Sequence, residues 1–81
     1  MNGFNNNNKI IIVNGMPHPF EGEIGYETVV TFAYGTYDSN LVYTVLYYAG
    51  KSDHIKGSLV KGQTIMVHPG MVFNVTKTIV S

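Results

Sequence analysis

The sequence contains no cysteine and no arginine, and each absence narrows the classes of protein that it can encode. Without cysteine the chain has no disulfide, no thiolate nucleophile and no Cys-ligated zinc, which fits a reducing compartment. Five lysines balance five acidic residues, so the formal net charge is zero. The long-range attraction on which nucleic-acid and anionic-membrane binders depend is therefore missing. We expect a cytoplasmic protein that binds neither nucleic acid nor membrane.

Long apolar runs are also missing. No stretch approaches the roughly 20 apolar residues of a membrane-spanning helix, and no basic segment followed by an apolar run opens the chain. We expect neither secretion nor membrane insertion. A length of 81 residues predicts one domain with one modest core, too short to build a deep active-site cleft from several loops.

Residues that could form a catalytic or metal site are sparse. The three histidines, His18, His54 and His68, have no His-x-x-x-His spacing and no companion cysteine. No serine, histidine and acidic residue fall into a catalytic arrangement. We therefore expect a protein that is not an enzyme, with no catalytic residue, no metal site and no cofactor.

The first strand pattern lies at residues 9–13, which are apolar on both faces, as interior strands are. The following Asn14 and Gly15 accept the positive φ values of a two-residue type I′ turn, so a hairpin is expected. Its second arm, residues 16–20, carries two prolines at alternate positions. Both missing donors then lie on one side of the strand, which predicts an edge strand.

After a polar connection at residues 21–25, the pattern becomes helical. Apolar side chains recur at offsets of three, four and seven: Tyr26, Val29, Val30 and Ala33. Gly25 suits the N-cap and Gly35 suits the end of the helix. The sequence therefore predicts one helix over Tyr26–Tyr34. An all-β small barrel with this segment extended is the alternative.

The second half of the chain contains three further strand patterns. They are predicted at residues 41–49, 63–67 and 71–80. Between them, residues 50–56 are charged and loop-like, and residues 57–62 indicate a turn connecting two strands. Alternation along the strands predicts these side chains on the inner face: Tyr43, Val45, Tyr47, Phe73 and Val75.

The resulting order is strand, strand, helix, strand, strand, strand. It predicts an α+β fold in which one helix packs on one face of a mixed sheet, as in the β-grasp architecture of ubiquitin. In that architecture the first and last strands lie side by side at the centre. The folded domain is expected over residues 9–78, between a disordered Asn-rich leader at residues 1–8 and a C-terminal tail at residues 79–81.

Five short stretches occur together in this order: residues 11–18, 26–30, 43–45, 57–62 and 70–76. The combination resembles the bacterial multiubiquitin-type domains and covers about residues 9–77. The resemblance implies a ubiquitin-like protein encoded beside ubiquitin-activating-enzyme-like, conjugating-enzyme-like and JAB-type metallopeptidase partners. Members often carry tandem copies, whereas this chain has one copy and no terminal Gly-Gly.

Two features are candidates for the working parts of such a protein. The first is a protein-binding patch on the outer sheet face: Leu46, Tyr48, Met66 and His68. Single exposed apolar residues are normal, so this hypothesis depends on their clustering. The second is a conjugation tail: Thr78, Ile79, Val80 and Ser81. The alternative is that Ile79 and Val80 extend the last strand and pack against the domain.

The leading hypothesis is a protein modifier that is activated and conjugated through its C-terminal carboxylate. The alternative is a non-conjugated β-grasp module that binds partners or self-associates through its sheet face or edge.

Overall fold

The computed structural model describes residues 9–49 and 52–78. Within these ranges it contains seven strands and one helix, in this order: β1 (Ile10–Val13), β2 (Met16–Pro19), β3 (Glu23–Gly25), α1 (Tyr26–Tyr34), β4 (Val42–Ala49), β5 (Ser52–Leu59), β6 (Thr64–Met66) and β7 (Met71–Thr78). Five strands form a mixed sheet in the order β2-β1-β7-β4-β5, and β3 pairs with β6. The predicted α+β β-grasp architecture is confirmed. The predicted leader at residues 1–8 and tail at residues 79–81 lie outside the described residues.

The first and last strands lie side by side at the centre of the sheet, as the sequence predicts, and they run parallel. Ile12 lies opposite Val72, and Val13 lies opposite Phe73. The hairpin that begins with β1 turns through Asn14 and Gly15, both at positive φ, as a type I′ turn requires. Its second arm is the edge strand β2, so the prediction drawn from the two prolines is also confirmed.

The helix α1 begins and ends at the two glycines that the pattern indicated. Gly25 is extended, and Gly35 lies in the left-handed region with φ 82° while its N–H bonds the Thr31 carbonyl at 2.7 Å. The face predicted from the helical offsets is turned inward, with Tyr26, Val29 and Val30 buried. The presence of α1 excludes the all-β barrel.

One core fills the space between α1 and the inner face of the sheet. Its largest fully buried side chain is Phe73 of β7. The predicted inner-face residues Tyr43, Val45 and Val75 are also buried, and Tyr47 is half-buried. Alternation alone therefore assigned the faces of β4 and β7 correctly.

The structure corrects two segments that the sequence analysis assigned to loops. The polar connection at residues 21–25 contains β3, whose Ile24 is fully buried opposite Ile65 of β6. Residues 52–56 of the predicted loop and residues 57–59 of the predicted turn form β5, which pairs with β4 at the edge of the sheet, while residues 50 and 51 lie outside the described residues. The pairing shifts register between Tyr48 and Ala49.

The amide of Asn14 continues the backbone ladder beside β7 where β1 ends. Its Oδ1 accepts a hydrogen bond from the Val75 N–H at 2.7 Å, and its Nδ2 donates to the Val75 carbonyl at 3.2 Å. The Asn14 N–H itself donates to the Phe73 carbonyl at 2.9 Å. One residue of the turn therefore supplies hydrogen bonds that an additional strand residue would supply.

The hydroxyl of Tyr26 likewise supplies hydrogen bonds to the backbone of β4, at a point beyond the end of β5. It donates to the Tyr43 carbonyl at 3.2 Å and accepts the Tyr43 N–H at 3.1 Å. A phenolic oxygen can both donate and accept, so one atom satisfies both backbone groups. The Tyr43 hydroxyl in turn accepts the Asp38 N–H at 3.1 Å.

Candidate protein-interaction surface

The outer face of the five-stranded sheet carries exposed apolar side chains on β4. Leu46 is 49% exposed and Tyr48 is 42% exposed, although both side chains are large and mostly apolar. Their neighbours along β4, Val45 and Tyr47, point inward to the core. These two residues of the predicted patch thus lie on the face that the sequence assigned to them.

The strand register extends the apolar surface from Tyr48 across the sheet. Tyr48 lies opposite Val72 of β7, Val72 lies opposite Ile12 of β1, and Ile12 lies opposite Pro17 of β2. Ile12 and Val72 are half-buried. Directly opposite residues on one face lie within contact distance. We call Pro17, Ile12, Val72 and Tyr48 the outer-face row.

A shallow groove of about 750 Å³ runs along the β4 and β5 end of this face. It is lined by Leu46 and Tyr48 together with polar and small residues, among them Lys56, Ser58 and Asn74. The groove offers apolar contact area beside a cation and hydrogen-bonding groups. Such a mixture suits a protein partner better than a small apolar ligand.

Met66 lies in the other sheet, and His68 lies in the connection between β6 and β7. Met66 is 53% exposed but belongs to β6, in the two-stranded sheet, opposite Glu23. It lines a different pocket, of about 280 Å³, which includes Phe20 and Pro69. His68 is exposed just after β6. The structure therefore places Leu46 and Tyr48 on the five-stranded sheet and Met66 on the two-stranded sheet, and any binding role for the four residues of the predicted patch stays a prediction.

The predicted patch did not include Ile12 and Val72, which also lie on the outer face. A signal was available, because residues 9–13 are apolar on both faces while α1 can cover only one face of the sheet. The apolar side chains on the other face of β1 had to meet something else. Their alignment with Tyr48 could not be seen, because it depends on the register of β1, β7 and β4.

The described part of the candidate tail is short. Thr78 is the last residue of β7, is exposed, and lies opposite Val42 of β4. Just before it, the Lys77 ammonium lies 5.0 Å from the centre of the Tyr34 ring, within the range of a cation–π contact. Ile79, Val80 and Ser81 lie outside the described residues.

Within the described ranges, no group of three or more His, Asp or Glu side chains is placed to hold a metal ion. His18 packs instead on the helix, with its ring stacked on that of Phe32 at 4.6 Å and an interplanar angle of 3°. The part of the chain that the structure describes also has no helix with the length and hydropathy needed to span a membrane.

One helix across a mixed five-stranded sheet, with the first and last strands central and parallel, defines a ubiquitin-like β-grasp protein. A family model described as multiubiquitin matches residues 10–79, and the chain belongs to the multiubiquitin family. Comparison with curated proteins and with solved structures gave no significant match. The chain is therefore a ubiquitin-like module, of a kind that is typically non-catalytic.

Proposed function

We propose that this protein is a ubiquitin-like modifier that is activated and conjugated through its C-terminal carboxylate. Its membership of the multiubiquitin family is the observation that carries the proposal. The enzymes required are a ubiquitin-activating-enzyme-like protein and a conjugating-enzyme-like protein, and a JAB-type metallopeptidase would remove the modifier. The compartment is the cytoplasm, and the modifier itself performs no catalysis.

Activation requires a C-terminal carboxylate that can reach the active site of the partner enzyme. In the first step a carboxylate oxygen attacks the α-phosphorus of ATP, forming an acyl adenylate and releasing pyrophosphate. A nucleophile of the partner enzyme then attacks the acyl carbon, and AMP leaves. A carboxylate at Thr78 would be held in the ladder opposite Val42, so the proposal places the reactive carboxylate after Thr78 in the sequence. The tail is bulkier than a diglycine, so the cognate enzyme needs a wider channel.

Removing residues 79–81 is expected to abolish adduct formation while leaving the fold intact. The chain would then be incubated with ATP and its cognate activating and conjugating enzymes, and intact-mass analysis would detect the covalent adduct. Ser81→Ala is the matched control because it keeps the length and the terminal carboxylate, so its adduct should form normally. An adduct from the truncated chain, or none from the full chain, contradicts the proposal.

A second candidate function is binding of a protein partner by the outer face, without conjugation. Exposure of Leu46 and Tyr48 beside the half-buried Ile12 and Val72 favours it. Contiguous apolar surface of this kind is a frequent mark of protein interaction sites. The same face would also serve a conjugated modifier, because an activating-enzyme-like partner needs a face of the domain to bind.

We expect the double change of Leu46→Lys and Tyr48→Lys to weaken binding of the activating-enzyme-like partner by at least about tenfold, because interface anchors contribute about 2 kcal/mol or more. Both residues are exposed, so the free energy of unfolding should change by only about 0.5 kcal/mol. Calorimetric titration and urea denaturation measure the two quantities. Met66→Lys, on the other surface, is the control and should bind normally. Equal losses in both variants would show that binding does not depend on the outer face.

A further inference from the structure

The five-stranded sheet has two edges, and they differ in what their backbones offer. On β2, the Phe20 N–H bonds the Lys9 carbonyl at 2.9 Å, which shows that the even-numbered residues of this arm face β1. The residues whose backbone groups point to the free side are therefore Pro17 and Pro19. Neither has an N–H, so the free side of β2 has no donor to give to a further strand.

The backbone direction on β5 follows from the hydrogen bonds of Asn14. Because Asn14 bonds both backbone groups of Val75 from the β1 side, Val75 faces β1, and alternation turns Asn74 toward β4. Leu46 lies opposite Asn74 and so exchanges its hydrogen bonds with β7. The backbone groups of the next residue, Tyr47, must then face β5.

Tyr47 lies opposite Gly57, so Gly57 uses its backbone groups on β4, while Lys56 and Ser58 direct theirs to the free side of β5. Val60, two residues after Ser58, agrees with this alternation. Its N–H bonds the Gln63 Oε1 at 3.1 Å, and its carbonyl accepts the Gln63 N–H at 3.0 Å. Over residues 56–60, the open donors and acceptors of this edge are therefore those of Lys56 and Ser58.

We propose that β5 pairs antiparallel with β5 of a second copy of this chain, about a two-fold axis at Gly57. Lys56 of each copy then lies opposite Ser58 of the other, and each such pair exchanges two backbone hydrogen bonds. Antiparallel pairing keeps the two faces of the joined sheet continuous. The proposal goes beyond the conjugation function and does not depend on it.

Charge and hydrogen bonding select this register over its neighbours. An axis at Lys56 would set two ammonium side chains directly opposite each other, and such like-charge pairs are destabilising. An axis at Ser58 would set Lys56 against Val60, whose backbone groups Gln63 already bonds. The axis at Gly57 avoids the lysine pair and leaves Lys56 and Ser58 opposite residues whose backbone groups are open.

Gly57 also suits a position on the axis because its inner side is already covered. A Cβ placed there would lie 3.0 Å from the Tyr47 hydroxyl oxygen, so the Tyr47 ring lies over the glycine. In the dimer the two Gly57 residues would lie opposite each other, with the Tyr47 ring of each copy beside them. Neither glycine would contribute a side chain at this position.

The difference between the β2 edge and the β5 edge also explains why we expect a dimer and not an open chain of copies. If β2 offered donors, β5 of one copy could pair with β2 of the next, and the chain of copies would stay open. The prolines of β2 prevent this contact. Pairing of β5 with β5 uses the edge of the five-stranded sheet that has open donors in each copy, so this contact is complete with two copies.

Ser58→Pro removes a backbone donor from the free side of β5, as Pro17 and Pro19 do on β2. The Ser58 N–H faces the free side, so its removal leaves the β4 ladder intact, and the melting temperature of the monomer, measured at low concentration, should be unchanged. The full chain should sediment as a dimer as its concentration rises. Ser58→Pro should weaken dimerisation by about ten- to hundredfold, because the same N–H donor is lost from both copies. Ser58→Ala keeps the N–H and should dimerise normally.

Amide hydrogen exchange of the unaltered chain tests the same contact without relying on a variant that folds. Raising the concentration should slow exchange of the Lys56 and Ser58 amides, while exchange of the Thr44 amide stays constant. A chain that remains monomeric up to about millimolar concentration overturns the proposal. So does a Ser58→Pro dimer as tight as the original, or concentration-independent exchange at both β5 amides.

Discussion

Replacing Tyr26 by phenylalanine is expected to lower the free energy of unfolding by about 2–4 kcal/mol, although only one oxygen atom is removed. The Tyr26 hydroxyl bonds both the N–H and the carbonyl of Tyr43 in a buried site, and Tyr26 itself is only 7% exposed. Each buried backbone group left without a partner costs about 1–3 kcal/mol. No neighbouring strand can replace the hydroxyl, because the paired part of β5 ends at Leu59, opposite Val45.

Tyr37→Phe is the matched control for this prediction. The Tyr37 ring packs edge-on against Tyr26 at 5.9 Å, and its hydroxyl makes no hydrogen bond within the described residues. Urea denaturation should show a loss below about 0.5 kcal/mol for this variant. Exchange of the Tyr43 amide should quicken in Tyr26→Phe alone. Equal losses in the two variants would mean that the Tyr26 hydroxyl does not support the end of β4.

The parts of the fold that the sequence predicted are those set by local chemistry. Asn14 and Gly15 specify a turn type, the two prolines of β2 specify an edge, and Gly25 and Gly35 bound a helix with one apolar face. Each of these signals acts over a few residues. Because they also fix the chain reversals and the crossover, they were sufficient to give the mixed sheet with parallel central strands.

The strands that the sequence missed depend on distant partners. Residues 50–56 were predicted as a loop because they are charged, and residues 57–62 as a turn, but Leu59 is buried and the Tyr47 ring covers Gly57. Aromatic cover of a glycine on the neighbouring strand is a tertiary effect that no local pattern reports. The strand β3 is only three residues long and exists because β6 pairs with it, with Ile24 in the core.

Prediction of the candidate surfaces was also limited by pairing between strands that are distant in sequence. Alternation placed Leu46 and Tyr48 outside correctly, because it operates within one strand. It also assigned Met66 to an outer face, but could not report that Met66 belongs to a different sheet. Grouping residues from separate strands requires their register, and register is set by pairing between segments far apart in sequence.

Asn14 shows how a turn residue can decide such long-range pairing. The turn needs a residue that tolerates φ 50°, and asparagine meets this need. Its amide also reaches the last strand, since it bonds Val75, 61 positions further along the chain. The Val75 carbonyl accepts a second hydrogen bond from the Tyr34 hydroxyl at 3.2 Å. The hairpin, the helix and the last strand therefore meet at one backbone residue.

Asn14→Gly should consequently lower the free energy of unfolding by about 1–3 kcal/mol, although glycine accepts the turn geometry at least as well as asparagine. The loss comes from the side-chain amide, so the Val75 N–H should exchange faster while the Asn14-position N–H still bonds Phe73. Asn14→Asp keeps the shape but brings a carboxylate oxygen to the Val75 carbonyl in place of a donor, and should be no more stable than Asn14→Gly. Asn74→Ala, on the exposed side of β7, is the control and should change stability by about 0.5 kcal/mol or less. If Asn14→Gly is as stable as the original chain, the turn alone accounts for Asn14 and its amide does not hold β7.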